Sequence, residues 1–399
     1  MAKNFLEKGR DFFNLVQEVN DKDFQKRQKA LEKSSNIKGI YLTQYTGGSS
    51  SSWAKSKRKE IKQLLRETEL NGVVIDVKEV TGQTFTDSLK EFIDELHKDG
   101  FWVIARIVVC RDSSMINIKP EWYLKNSSGS LWQDKAGYFW LDPACPEVQN
   151  YILEVSQKAV DFDFDEIQFD YLRFPDRGAL EGIVYPCHNK ESKKRQAIND
   201  FYSALSEDLR NYKKDIILSV DLFGLVAQYF NISETGQNAS DTLGKFDYIS
   251  FMLYPSHFFN GFVVQKDLKR NLPALYFSSP SNHPYEVVHR TVLNASDYIS
   301  SFYSKPEGRF QYKKSQSFLF FLNYLFSEYN IFLEENKKNK SRIRPWLQDF
   351  DLKKDSQQGI CYDAEKVRAQ IKASEDAGAS GWLLWNPWNV YTKEALNPY

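Results

Sequence analysis

Four cysteines in 399 residues, with no C-x-x-C pair among them, are too few and too scattered for a zinc ribbon or a disulfide-stapled scaffold. Cys110, Cys145, Cys187 and Cys361 leave room for one or two bridges in an exported chain, but buried free thiols are the expectation. The five histidines show no metal-ligand spacing, so neither a metal nor another cofactor is expected. No charge of either sign prevails. Lys plus Arg and Asp plus Glu both number 53, which gives no bulk electrostatic reason to expect a nucleic-acid partner or a membrane surface. No run of about 18 apolar residues exists, so no membrane span is expected. Thr46–Ser50 matches neither G-x-G-x-x-G nor a P-loop, and the G-x-S-x-G elbow of a serine hydrolase is missing.

What the chain has in excess is aromatic surface. Phe, Trp and Tyr make up 15% of the residues, with nine Trp and 22 Tyr. Sugar clefts use such planes to stack on the apolar C–H faces of pyranose rings, and a large aromatic core would use them equally well.

Residues 1–35 read as a charged, amphipathic helical extension, with Phe5, Phe12, Phe13, Leu15 and Val16 set among Lys, Glu and Asp. From residue 36 to residue 399, eight short apolar runs alternate with helical stretches. They begin with Gly39–Leu42, Gly72–Val77, Phe101–Val109 and Glu166–Tyr171, and continue with Ile216–Asp221, Tyr248–Tyr254, Arg342–Trp346 and Gly381–Trp385. Strands alternating with helices imply βαβ units and a parallel sheet, and eight is the number that closes a (β/α)8 TIM barrel. The predicted fold is therefore an α/β barrel with an N-terminal helical lead-in and long insertions. The connections 110–150 and 174–195 follow strand C-termini, where barrel enzymes build their sites. Segment 303–340 is expected to be an extra helical hairpin on the barrel wall.

Side chains alternate along a strand, so Ile167, Phe169 and Tyr171 share one face of the fourth run and Gln168 and Asp170 the other. The apolar face suits the surrounding helices, which leaves Asp170 inside the barrel at its C-terminal rim. An unpaired carboxylate there is costly, so it needs a function or a partner, and Arg173 three residues on is the candidate partner. The same alternation puts Asp76 and Lys78 on one face of the second strand and Asp221 at the end of the fifth. Three strands thus deliver Asp76, Asp170 and Asp221 to one rim. Glycoside cleavage asks for such a set, one carboxyl to protonate the leaving oxygen and another to act as nucleophile or base. A cation from Lys78 or Arg173 would keep one of them ionised while a drier neighbour holds its proton. Tyr41, Arg106, Tyr254, Trp346 and Trp385 are expected to line the same mouth and bind substrate. Asp161, Asp163 and Asp165 precede the strand and read as a solvated loop.

Gly39–Thr43, Val74–Lys78, Phe169–Pro175, Asp247–His257, Arg344–Phe350 and Gly381–Asn386 resemble the putative glycosyl hydrolase domain family, a distant relative of the α-amylase-type barrels. The resemblance runs from about residue 37 to the end. It implies a (β/α)8 barrel that hydrolyses a polysaccharide or oligosaccharide with carboxylates at its strand ends, Asp170 matching by position. It adds His257 and Asn386 to the substrate-binding residues. By analogy with amylase-like enzymes, Asp221 would be the acid and Asp349 an assisting carboxylate, although those enzymes use glutamate as the acid. Glu79 stands where the family more usually has aspartate, and the glutamate of a chitinase-type fourth strand is absent. The competing readings are a carbohydrate-binding barrel without catalysis and a lyase or transferase on an acidic or aminated polymer. The opening Met1–Phe5 carries no apolar leader; with the glycosyl hydrolase resemblance, an extracytoplasmic protein (secreted, periplasmic or surface-anchored) whose export signal lies outside this sequence is expected. A cytoplasmic location is the alternative. The sequence assigns no oligomeric state.

Overall fold

A computed structural model of the chain describes residues 22–189, 193–304 and 340–399. Eight parallel strands close on themselves: β1 (Ile37–Leu42), β2 (Gly72–Glu79), β3 (Trp102–Val108), β4 (Glu166–Asp170), β5 (Ile217–Phe223), β6 (Tyr248–Met252), β7 (Trp346–Gln348, with Arg342–Ile343 leading into it) and β8 (Gly381–Trp385). β1 closes the barrel by pairing with both β2 and β8. At this seam Gly381 takes a φ of +84°, and a Cβ there would lie 2.1 Å from the Ile37 carbonyl oxygen, so only glycine fits.

Outward-facing Val73, Ile75, Ile107, Ile167 and Phe169 pack under the helices in a continuous core. Those helices start where the sequence caps them. Ser51, Thr86 and Asp363 each accept an N-terminal amide of Ser52–Glu67, Asp87–Lys98 and Ala364–Asp376. Inside the barrel a second cluster gathers Ile37, Val74, Trp102, Ile104, Tyr248 and Leu383.

Helix 22–33 lies against the N-terminal end of the barrel. Arg27 donates to the Ile216 carbonyl at 2.5 Å and pairs with Asp247, while Leu31 joins the interior cluster. A buried ion pair sits at this end as well: Arg344 Nη1 donates to Glu166 at 2.9 Å, and its Nη2 donates to the Ser34 carbonyl. Residues 1–21 of the expected extension, and nearly all of segment 303–340, lie outside the described residues.

The expectation of buried free thiols is corrected in favour of the single-bridge alternative. Cys145 and Cys187 form a disulfide across 42 positions, and Cys110 and Cys361 remain free. The bridge joins the excursion after β4 to the first turn of helix Pro146–Asp161. Neither partner's local sequence signals the pairing, because the two loops meet only once the barrel has closed.

Candidate active site

At the C-terminal mouth, inward positions of six strands converge on one guanidinium. Arg106 of β3 donates Nη1 to Asp76 of β2 at 2.5 Å, and Nε and Nη2 to Asp170 of β4 at 3.2 and 2.5 Å. Its Nε also lies 3.8 Å from Asp221 Oδ2 on β5. The two contacts of Nε cap the separation of Asp170 Oδ2 and Asp221 Oδ2 at about 7.0 Å. Trp346 of β7 donates its indole N–H to Asp221 Oδ1 at 2.9 Å, and the Tyr41 hydroxyl of β1 donates to Asp76. Trp385 of β8 stacks on Tyr41 with centroids 3.8 Å apart and lies under the Arg106 guanidinium at 4.8 Å. Tyr254 packs edge-on against His257 and Phe350.

One cation cannot answer three buried carboxylates, and burial pushes Asp76 and Asp221 toward their protonated forms. Burial, with Glu79 adding to it, lifts Asp76 to about 7 even against Arg106 and Tyr41. Asp221 is only 1% exposed, and burial followed by the nearby charge of Asp170 holds its carboxyl well above the usual range. Both effects favour its protonated form. Both Asp170 oxygens accept hydrogen bonds, Oδ2 from Arg106 and Oδ1 from the Tyr171 amide at 2.6 Å.

That last contact rests on a backbone feature. Tyr171 has a φ of +53°, uncommon for a side-chain-bearing residue, and this turn folds its N–H back onto the carboxylate. The turn also corrects the expected outward face of Tyr171. The ring stands on the wall of a cleft, where Arg111 Nη1 reaches its hydroxyl at 3.2 Å and Trp140 meets it edge-on. The cleft encloses about 580 Å³ and opens from Asp170 outward between the loops after β3, β4, β5 and β6. Trp140, Phe223 and Phe258 supply apolar wall, and Arg111, Lys135, Arg173 and Arg177 supply cations.

The candidate residues therefore divide. Tyr41, Asp76, Arg106, Asp170, Asp221, Tyr254, Trp346 and Trp385 meet at the mouth. Arg173 and His257 stand on the cleft wall. Arg173 does not pair with Asp170; it donates to the Phe174 carbonyl and to Asp176, and Arg106 takes the place expected of it. Lys78 is a correction. The β2–β3 register shifts between Asp76 and Lys78, the alternation breaks, and Lys78 is fully buried against Asp112 at 2.8 Å and the Val108 carbonyl at 2.5 Å. Asp349 is a correction as well. Both its oxygens accept from Thr392, through the amide at 2.9 Å and the hydroxyl at 2.7 Å, so it fastens the C-terminal loop instead of joining the other three. Asn386 belongs to that same loop, donating to the Asp349 carbonyl at 2.5 Å and accepting from the Trp388 amide. Arg111, Trp140, Tyr171 and Phe223 were missed. The aromatic richness of the loop after β3 signals Trp140, and nothing comparable marks Tyr171 or Phe223.

A family model described as a putative glycosyl hydrolase domain matches residues 81–312 and 297–391. No curated protein matches the chain. Among solved structures, the glycoside hydrolase domain of PgaB (BpsB) from Bordetella bronchiseptica is similar over 91% of this chain and 99% of its own, at 12% identity and a TM-score of 0.56. A hypothetical protein from Ruminiclostridium thermocellum is 27% identical over 46% of this chain and 96% of its own, with a TM-score of 0.38. An α-L-fucosidase from Paenibacillus thiaminolyticus is 14% identical over 90% of this chain and 48% of its own, with a TM-score of 0.49.

Proposed function

The chain belongs to the putative glycosyl hydrolase domain family, and from that premise we propose that it is a glycoside hydrolase cutting a polysaccharide or oligosaccharide at Asp170. One observation carries this reading. Of the four candidate carboxylates, Asp170 is the one that both stands in the barrel mouth and lines the cleft. Its place at the C-terminal end of a barrel strand is where this fold positions catalytic groups.

The roles follow from the contacts each carboxyl makes. Asp170, with acceptors on both oxygens, attacks the anomeric carbon or draws the proton from an attacking water. Asp221, whose burial favours the protonated form, delivers a proton to the leaving oxygen. At no more than about 7.0 Å, the separation does not exceed the spacings of glycosidase pairs. Arg106 orients Asp170 and sets the charge balance with Asp76. Trp346 fixes one oxygen of Asp221, which directs the acid's O–H from the other. The aromatic wall of Trp140, Tyr171 and Phe223 offers the stacking surface a sugar needs.

A second reading draws on one specific contact: Arg106 clamps Asp170 through two nitrogens, as it would in a carbohydrate-binding barrel without turnover. Incubation with a panel of polysaccharides, with released oligosaccharides detected by mass spectrometry, separates the two. A hydrolase yields new reducing ends, and a binder yields a complex and intact polymer. The Cys145–Cys187 disulfide supports an extracytoplasmic location, because such bridges persist in oxidising compartments.

A further inference from the structure

Arg173 is 6% exposed, yet it lies on the cleft wall. Its guanidinium packs among three rings, 5.0 Å from Trp140, 4.9 Å from Tyr171 and 4.5 Å from Phe223, which fixes its plane. Only Nη1 is engaged, by the Phe174 carbonyl at 3.1 Å and by Asp176 at 2.9 Å. Nε and Nη2 have no protein partner among the described residues. Neither is sealed off, in contrast to the buried, unpartnered Nε atoms of Arg111, Arg210 and Arg344. The Nε–Nη2 edge of an arginine presents two parallel N–H groups, a fork that matches the two oxygens of a carboxylate. An edge open to the cleft can take a ligand carboxylate through two charge-assisted bonds.

The surroundings agree with an anion. Arg177, whose side chain is 78% exposed, and Lys135 stand on the same wall, and Lys135 forms no ion pair among the described residues. The wall's own acids are already committed. Asp134 accepts from Trp140 at 3.0 Å and pairs with Arg111 at 3.0 Å, while Asp176 lies between Arg173 and Arg177. We propose that the cleft takes an acidic saccharide, whose sugar carboxylate docks on the Nε–Nη2 edge of Arg173. This rests on the glycosidase reading for the sugar itself. It adds that the sugar beside Arg173 is a uronic acid or bears an equivalent carboxylate.

Calorimetric titration tests it, with uronic-acid oligosaccharides set against the same oligosaccharides after reduction of their carboxyls to alcohols. The acidic forms should bind roughly tenfold or more tighter, with a preference that shrinks as salt rises. Arg173→Lys keeps the charge but loses the fork and should remove most of that preference. Arg177→Gln, at an exposed position with little bearing on folding, should weaken it a few-fold. Equal or tighter binding of the reduced forms, or no binding of any acidic form, overturns the proposal. Product analysis of the same mixtures keeps the two readings apart. Neutral chains cleaved as fast as acidic ones leave a hydrolase and remove the acidic preference. Acidic chains bound but never cleaved keep the preference and remove the hydrolase.

Discussion

Replacing Arg106 by glutamine would expose the electrostatic design of the barrel mouth. The side chain is buried, bonds Asp76 and Asp170 at 2.5 Å and lies 3.8 Å from Asp221, so its removal leaves carboxylates without their cation. Breaking a buried pair from one side typically costs about 3–5 kcal/mol. At roughly 2 °C per kcal/mol for a domain of this size, the melting temperature should fall by about 6–10 °C at neutral pH. The loss should also depend on pH, and its sign can be fixed. In the wild type, burial raises Asp76 to about 7, so the folded state holds a proton that the unfolded chain has already released. That contribution is complete below the unfolded value and is lost as pH rises through about 7. Without Arg106 the folded value moves higher still, and the variant goes on losing stability where the wild type has levelled off. Melting curves at pH 5, 7 and 8.5 should show the gap between the two proteins widening with pH. A gap that stays constant, or stays below about 1 kcal/mol throughout, would refute the account of Arg106 as the shared counter-ion.

Two further outcomes follow from the same contacts. Asp221→Asn should cost little stability, on the order of 1 kcal/mol or less, because a carboxyl whose burial favours the neutral form is replaced by a neutral amide that still accepts from Trp346. Its turnover should drop about a hundredfold or more on substrates with poor leaving groups, and far less on activated aryl glycosides that need no proton; equal losses on both would remove Asp221 as the acid. Cys145→Ser should lower stability by up to about 4 kcal/mol, since the bridge closes a loop across 42 positions, and a calorimetric scan with and without reductant should show the wild type losing a similar amount.

The barrel was legible because closure turns a two-residue alternation into an inside and an outside. Tyr41, Asp76, Arg106, Asp170 and Asp221 stand inward by that rule alone. It fails wherever the backbone leaves the regular strand. The shift between Asp76 and Lys78 sends the lysine to Asp112, and the left-handed turn at Tyr171 brings a residue expected under the helices onto the cleft wall. Neither irregularity has a glycine or proline to announce it. Asp349 misled for another reason. Its position after a barrel strand matches the other carboxylates, and only the return of the chain at Thr392 shows both oxygens committed. The cleft wall itself comes from loops far apart in sequence, held in part by the Cys145–Cys187 bridge, and no periodicity encodes that meeting.

Whether Asp170 is the catalytic carboxylate is decided by the rate and melting temperature of one Asp170→Asn preparation. The amide keeps the shape of the side chain and still accepts a hydrogen bond from Arg106, but it can neither attack an anomeric carbon nor take a proton from water. The account predicts a fall in turnover of roughly a thousandfold or more with a shift in melting temperature of only a few degrees and with sugar binding retained. A variant that melts much earlier yet cleaves at near wild-type rate per folded molecule would contradict it, and would make Asp170 a structural partner of Arg106.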